Sequence, residues 1–213
     1  MIKLKLPEKN PEKNPEKNID KRTRLVDAAD RLTHRHGFNR TTLADIATEA
    51  NVPCGNVYYY FKTKEELGEA LIEQRRDFYR IIRQDWDKNP DPGLRLRQLI
   101  QMTVDNREGL AHAGCPIGSL CQELHKDGGA LADKAGQLFS DLLQWLEAQF
   151  RLLGQKNASS DHALHLLSAL QGASLLTHTF NDPELMLRET SRLKKWIDSL
   201  SVQQTPNTRH KRQ

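Results

Sequence analysis

Cysteine is scarce in this chain. There are three in 213 residues, at Cys54, Cys115 and Cys121. An odd, low number without a secretory leader excludes a disulfide framework and favours reduced thiols. Long apolar runs are also missing. No stretch approaches the roughly 18 residues needed to span a bilayer, and the N-terminus lacks the apolar core of roughly 7–15 residues that marks a signal peptide. These absences set the expectation of a cytoplasmic protein with no membrane partner. Aromatic residues make up only 6% of the chain, mean hydropathy is −0.71, and no segment reads as a convincing strand. Nor does charge of one sign dominate, since the net charge is only +4. Residues 1–19 carry five Lys against three Glu, residues 203–213 carry Arg209, Lys211 and Arg212 without an acid, and the remainder is −1. Overall basicity is therefore weak ground for a nucleic-acid partner, and the placement of individual basic groups matters more.

What is present is helical patterning between two polar tails. Residues 7–18 repeat PEKN three times. Proline at every fourth position removes amide donors, and the repeat has no apolar side chain to bury. Residues 1–19 are thus expected to be a disordered arm and 203–213 a disordered basic tail. From Asp20 to Gly37, Leu25, Ala28, Ala29 and Leu32 recur at helical spacing, and Gly37 is a natural stop, with Phe38 able to fold back onto the helix it follows. Thr42 and Asp45 form a capping-box pair at the head of a second helix whose Leu43, Ile46 and Ala47 face inward. Asn51-Val52-Pro53 breaks it, and Pro53 suits the first turn of a third helix ending near Phe61. Thr63 caps a long helix to about Lys88, with Leu67, Leu71, Phe78, Ile81 and Ile82 expected inside. Further helices are expected over about 93–111, 116–126, 130–153, 161–180 and 183–200. The fold class is all-α with about nine helices, divided into a helix-turn-helix domain over 20–66 and a larger helical domain over 67–202.

Residues 41–64, TTLADIATEANVPCGNVYYYFKTK, carry the functional signal. Val57 and Phe61 lie at i, i+4 and point to the first two helices, with Tyr60 sharing part of that face. Cys54, Gly55, Asn56, Tyr58 and Tyr59 are left on the outer side. Three adjacent tyrosines span too wide an arc for all to be buried. Gly55 permits close backbone approach to DNA, and Asn56 can reach a base edge or a phosphate. The Tyr58 and Tyr59 hydroxyls suit phosphates, while Lys62 and Lys64 lie where a flanking phosphate would run. Thr41 and Thr42, with the open amides of their helix start, suggest a second phosphate clamp. Pro53 belongs to the same DNA-facing corner. The second of two short helices is the one that enters the groove in this motif.

The stretch from about Thr23 to Leu71 resembles the TetR family of bacterial transcriptional regulators. The likeness rests on His36-Gly37-Phe38, on Thr41-Thr42-Leu43-Ala44-Asp45-Ile46-Ala47, and on the run from Gly55 through Tyr58-Tyr59-Tyr60-Phe61-Lys62 to Leu67. Tyr60 stands where the family often has histidine, and Cys54 where it is often polar. The resemblance implies a homodimeric repressor on a palindromic operator, released by a small-molecule effector that binds the C-terminal part. It implies no enzyme activity, no cofactor and no resident metal.

The segment Ala113-Gly114-Cys115-Pro116-Ile117-Gly118-Ser119-Leu120 is similar to the Gly-Cys segment of a subgroup that includes sensors of reactive electrophiles. A thiol just ahead of a helix start is stabilised as thiolate. Cys115 is therefore a candidate sensor, against the plainer reading of a small buried hydrophobe. His112, Cys115, Cys121 and His125 also form H-x2-C-x5-C-x3-H, a spacing that fits poorly with zinc modules. Candidate effector-lining residues are Trp86, Leu99, Met102, His112, Cys115, Trp145 and His178. For the dimer, Ala169, Gly172 and Ala173 allow close helix approach, and Leu164, Leu167, Leu175, Leu193, Trp196, Ile197 and Leu200 supply apolar area. The competing readings are a ligand-independent architectural DNA-binding protein, which leaves the large C-terminal region without a use, a metal-sensing regulator, and a cysteine enzyme, for which no further catalytic signature is found.

Overall fold

A computed structural model describes residues 20–202, with side-chain surroundings to residue 200, and the two expected disordered tails lie outside it. Among the described residues there is no strand. The helices are α1 (Lys21–His36), α2 (Leu43–Glu49), α3 (Cys54–Tyr60), α4 (Lys64–Trp86), α5 (Pro92–Asp105), α6 (Arg107–Ala113), α7 (Pro116–Asp127), α8 (Ala130–Leu152), α9 (Ser159–Phe180) and α10 (Pro183–Val202). The helix expected over 93–111 is divided into α5 and α6 at Asn106, which sits at φ −98°, ψ 10°, and serves both as the end of one and the start of the other. That bridge conformation suits asparagine, whose side chain competes with the helical backbone.

The three larger apolar clusters among the described residues organise the fold. The first joins Leu25, Ala28 and Ala29 of α1 to Ile46 and Ala47 of α2, Val57 of α3, Phe61 and Leu67. The largest joins Leu96, Leu99 and Ile100 of α5 to Leu146 and Phe150 of α8, Leu166 and Leu170 of α9, and Leu193 and Ile197 of α10. Between them, α7 presents Ile117, Leu120, Cys121 and Leu124 to Ile72 of α4 and to Ala132, Ala135 and Leu138 of α8. The 23-residue α4 is about 34 Å long at the helical rise, and it runs from Leu67 in the first cluster to Trp86 in the largest.

Three burial expectations are corrected. Phe38 does not fold back onto α1; its ring joins the α7 cluster. Phe78 and Ile81 of α4 are exposed, and Ile72 and Arg75 are the buried residues beyond Leu71. The face of α4 that is covered contains an arginine, which an apolar-periodicity count excludes.

Candidate DNA interface and its junction with the helical body

Local chemistry builds the reading head. Gly37 ends α1 at φ 86°, and its N–H donates to the Thr33 carbonyl at 2.9 Å. The capping box at α2 is complete: the Asp45 N–H donates to Thr42 Oγ1 at 3.1 Å and the Thr42 N–H to Asp45 Oδ2 at 3.0 Å. The Thr42 hydroxyl also donates to that carboxylate, and these bonds hold the Asp45 carboxyl below its usual range. Asn51 takes the left-handed conformation, φ 51°, that permits the tight turn into α3, and asparagine tolerates it better than most side chains. Arg24 of α1 fixes this turn by donating to the Ala50 carbonyl at 3.1 Å and the Asn51 carbonyl at 2.6 Å. Pro53 is the N-cap of α3, one position before the first turn proposed from sequence.

Val57 and Phe61 are buried against α1 and α2 and set the rotation of α3. The opposite face is open. Tyr59 is 78% exposed, Tyr58 is 53% exposed, and Cys54, Gly55 and Asn56 stand beside them. A Cβ at Gly55 would meet nothing within 4 Å, so nothing inside the fold requires glycine there. Tyr60 is half-buried and meets Tyr59 edge-on at 5.0 Å.

Four of the basic and hydroxyl groups expected on phosphates already have partners within the chain. The Thr41 side chain is buried and donates to the Gly37 carbonyl at 2.8 Å, while the Thr42 hydroxyl belongs to the capping box. Lys64 turns back onto the chain: Nζ donates to the Asn39 carbonyl at 3.1 Å and lies 4.6 Å from the centre of the Phe38 ring, and burial lowers its pKa. Of the expected Thr41–Thr42 pair, Thr41 is buried and Thr42 stays exposed. Lys62 remains exposed, with Nζ on the Tyr58 carbonyl at 2.6 Å. The residue that sequence reasoning missed is Arg40. It is exposed, has no hydrogen bond or ion pair to a described residue, and borders an open hollow of about 280 Å³ with Leu32, His36, Thr41 and Asp45. Its signal was its place in the turn, directly before the hydroxyl pair.

The helical body meets this head along α7. Cys115 is the N-cap of α7, and its Sγ accepts from the Gly118 N–H at 3.4 Å and lies 3.5 Å from Gln171 Nε2. Its neighbours in sequence are bound by α1 and α4. The Gly114 carbonyl lies 3.0 Å from His34 Nε2 of α1, and the Pro116 carbonyl accepts from Arg75 Nη1 at 2.5 Å. Arg75, only 6% exposed, also pairs with Asp30 of α1 at 2.6 Å, and its Nη2 is buried without a partner. Burial lowers the pKa of His34, raises that of Tyr79, and pushes the Cys121 thiol up to about 11.

The expected effector residues divide into two groups. Trp86 and Leu99 border a cavity of about 10 Å³ with Arg76, Tyr79, Arg83, Ile117, Leu138, Asp141 and Leu142. Trp145 packs 5.7 Å from Trp86 and donates through its indole to Asp87, and Met102 is packed against the same core. Cys115 and His178 lie instead at the α6–α7 junction, where His178 Nδ1 is 3.0 Å from the Ala111 carbonyl, and His112 is exposed. His112, Cys115, Cys121 and His125 are not gathered into one site. The Cys121 thiol donates to the Ala135 carbonyl at 3.3 Å, His125 Nδ1 faces the Cys121 carbonyl, and no group of three His, Cys, Asp or Glu suited to a metal occurs among the described residues.

The expected dimer residues also divide. Leu164 and Leu175 stand out from α9 with Leu176 and Phe180, and Gly172 is open to solvent among them. Leu167, Leu193, Ile197 and Leu200 instead fill the chain's own core, Ala169 and Trp196 pack against that core, and Ala173 joins Leu110 and Met186. Of these, Ala169 and Trp196 stay partly exposed, while the others are buried within the chain itself. Sequence reasoning missed Leu176 and Phe180 because α9 carries apolar residues on nearly every side, so periodicity does not select a face. No helix among the described residues is long and apolar enough to cross a membrane.

Residues 25–71 match the bacterial regulatory proteins, tetR family. An uncharacterised HTH-type transcriptional regulator from the lacX 3′ region of Lactococcus lactis subsp. lactis is 26% identical over 166 residues, covering 75% of this chain and 84% of that protein. The transcriptional regulator AcuR of Cereibacter sphaeroides is 32% identical over 133 residues, 59% of each chain. In three dimensions, a TetR transcriptional regulator from Legionella pneumophila matches with a TM-score of 0.76 at 21% identity, over 86% of this chain and 98% of that one.

Proposed function

We propose that this chain, which belongs to the TetR family of DNA-binding bacterial regulators, is a repressor that grips a palindromic operator as a two-fold dimer and lets go when a small molecule or a thiol-reactive compound acts on its helical body. The observation that carries the DNA-reading half is the divided α3. Val57 and Phe61 lock one side, and Asn56, Tyr58 and Tyr59 face outward with Cys54, Gly55, Pro53 and Lys62 around them. A short helix fixed by its inner face and polar-aromatic on its outer face suits a major groove. Arg40 joins this set as a phosphate contact.

The dimer reading rests on α9. Leu164, Leu175, Leu176 and Phe180 leave a monomer with an apolar stripe on its last-but-one helix. Two such helices packed about a two-fold axis bury it and place two heads on two half-sites. Operator DNA sets the place of work in the cytoplasm. The reading units are residues 20–66 for the head and 67–202 for effector binding and dimerisation. The head has its own apolar cluster, completed by Leu67 of α4 just past this boundary.

Release through Cys115 is supported by its place at the start of α7, where the Gly118 N–H points at sulfur. Alkylation or oxidation of this sulfur adds a group at the start of α7, against Gln171 of α9. The test begins with selection of a bound site from random DNA. N-ethylmaleimide should then release the wild type from that site, with Cys54→Ser as background, and the Cys115→Ser variant should bind equally well yet resist release. A serine variant that still releases normally would remove the thiol from the mechanism and leave the small-molecule route.

A further inference from the structure

The turn between α1 and α2 is held from outside the reading head. The Phe38 N–H donates to Glu123 Oε2 at 2.7 Å, and the Asn39 N–H donates to Glu123 Oε1 at 2.7 Å. One carboxylate on α7, more than eighty residues away in sequence, takes two successive backbone amides of the turn. The same turn gives the Asn39 side-chain amide to Asp127 Oδ2 at 2.7 Å, one helical turn further along α7. Phe38 buries its ring among Ile117, Leu120 and Leu124 of that helix. Lys64 closes the arrangement from α4, on the Asn39 carbonyl and over the Phe38 ring.

Gly37 shows how close the approach is. A Cβ there would lie 2.9 and 3.0 Å from the two Glu123 oxygens, and the residue is at φ 86°. Glycine satisfies both the backbone and the carboxylate at this point. The N-terminal end of α7 is held too, through His34 on the Gly114 carbonyl and Arg75 on the Pro116 carbonyl. Thus α7 is tied to the reading head through Glu123 and Asp127 and, just ahead of its first turn, through His34 on the Gly114 carbonyl, and only four residues, 39–42, separate Phe38 from the first residue of α2.

We propose that Glu123 is a positioning residue for operator recognition: its carboxylate fixes the α1–α2 turn, so that the lie of α7 sets where α2 and α3 present themselves to DNA. The inference rests on the DNA-binding reading and goes beyond it by naming the carboxylate that holds the α1–α2 turn. The bonds are charge-assisted, and a carboxylate accepts both amides at once. A glutamine keeps one acceptor oxygen and replaces the other with a donor that faces an N–H.

The experiment uses the full chain and a DNA site selected by the wild type. Glu123→Ala should lower affinity for that site about tenfold or more, the consequence of losing bonds of this class, while affinity for unrelated DNA and the thermal midpoint of the body stay near the wild type. Glu123→Gln should fall between the two. Hydrogen exchange at the Phe38 and Asn39 amides should quicken by about tenfold in Glu123→Ala, with the amides of α9 unchanged. The exchange measurement needs no DNA, so it separates failure of the clamp from failure of the DNA-binding reading. Operator affinity within twofold of the wild type would overturn the proposal, as would unaltered exchange at those two amides. A loss shared equally by unrelated DNA and accompanied by a lower thermal midpoint would reduce Glu123 to a packing residue and also overturn it.

Discussion

Two helices turn unburied side chains outward, and they do so with different chemistry. On α3 the outward groups are Asn56, Tyr58 and Tyr59, each able to exchange a hydrogen bond as well as contact area. On α9 they are Leu164, Leu175, Leu176 and Phe180, which exchange nothing but area. A partner that is hydrated and charged suits the first face, and a partner that is itself apolar suits the second. On the proposed reading, DNA takes the first face and a second copy of the chain takes the second. It also separates two kinds of damage, since a substitution on either face leaves the cores behind it intact.

The largest expected effect comes from α9. Leu175→Asp places a charge in the middle of the apolar stripe without touching the chain's own core. It should turn a dimer into a monomer of 24.4 kDa by light scattering at micromolar concentration. Operator affinity should then fall by about a hundredfold or more, because two tethered heads bind far more tightly than one. A variant that stays dimeric would place the two-fold contact elsewhere. Ile197 is the control. It was expected on the same interface but is fully buried, so Ile197→Asp should unfold the body rather than split a dimer.

Next in size is the reading face. Tyr59→Ala removes the most exposed of the large hydrophobic side chains among the described residues and leaves Val57 and Phe61 in place. Affinity for the selected site should fall by about tenfold, the scale of one lost base or phosphate contact, with helix content by circular dichroism unchanged. Undiminished affinity in a gel-shift titration would remove Tyr59 from the interface.

How far each face could be read from sequence follows from the reach of its contacts. The capping box pairs Thr42 with Asp45, Thr63 caps Glu66, and Gly37 closes α1 on Thr33, all within four positions. Such bonds appear as spacing in the sequence, and the head was legible to that degree. The body is joined across long separations. Arg75 meets Pro116, His34 meets Gly114, and Glu123 meets Phe38. No spacing encodes those meetings. The same cause misplaced Phe78 and Ile81, whose side of α4 is left uncovered while Arg75 is sealed under α1 and α7. Lys64 shows the effect in miniature: its position in the motif suggested a phosphate, and a turn 25 residues earlier had already engaged it.

The smallest effect tests whether head and body are joined through the N-terminal end of α7. Burial lowers the pKa of His34 from its ordinary value of 6.5. Its bond to the Gly114 carbonyl opposes that shift, the Arg75 charge adds to it, Asp30 opposes it and His178 adds to it. A histidine with a lowered folded pKa binds protons more readily in the unfolded chain. Its contribution is fully present above pH 6.5 and is lost as the pH falls below that value toward the folded pKa. The wild type should therefore lose stability as the pH falls below about 6.5 in a way that a non-titrating residue would not. His34→Gln keeps an amide donor for the Gly114 carbonyl and cannot take up the proton. The urea midpoint of the variant should fall less over this range than that of the wild type, by a margin smaller than either effect above. Parallel midpoints would mean that the ring opens to water when charged, and that the contact between α1 and the start of α7 yields without cost to the fold.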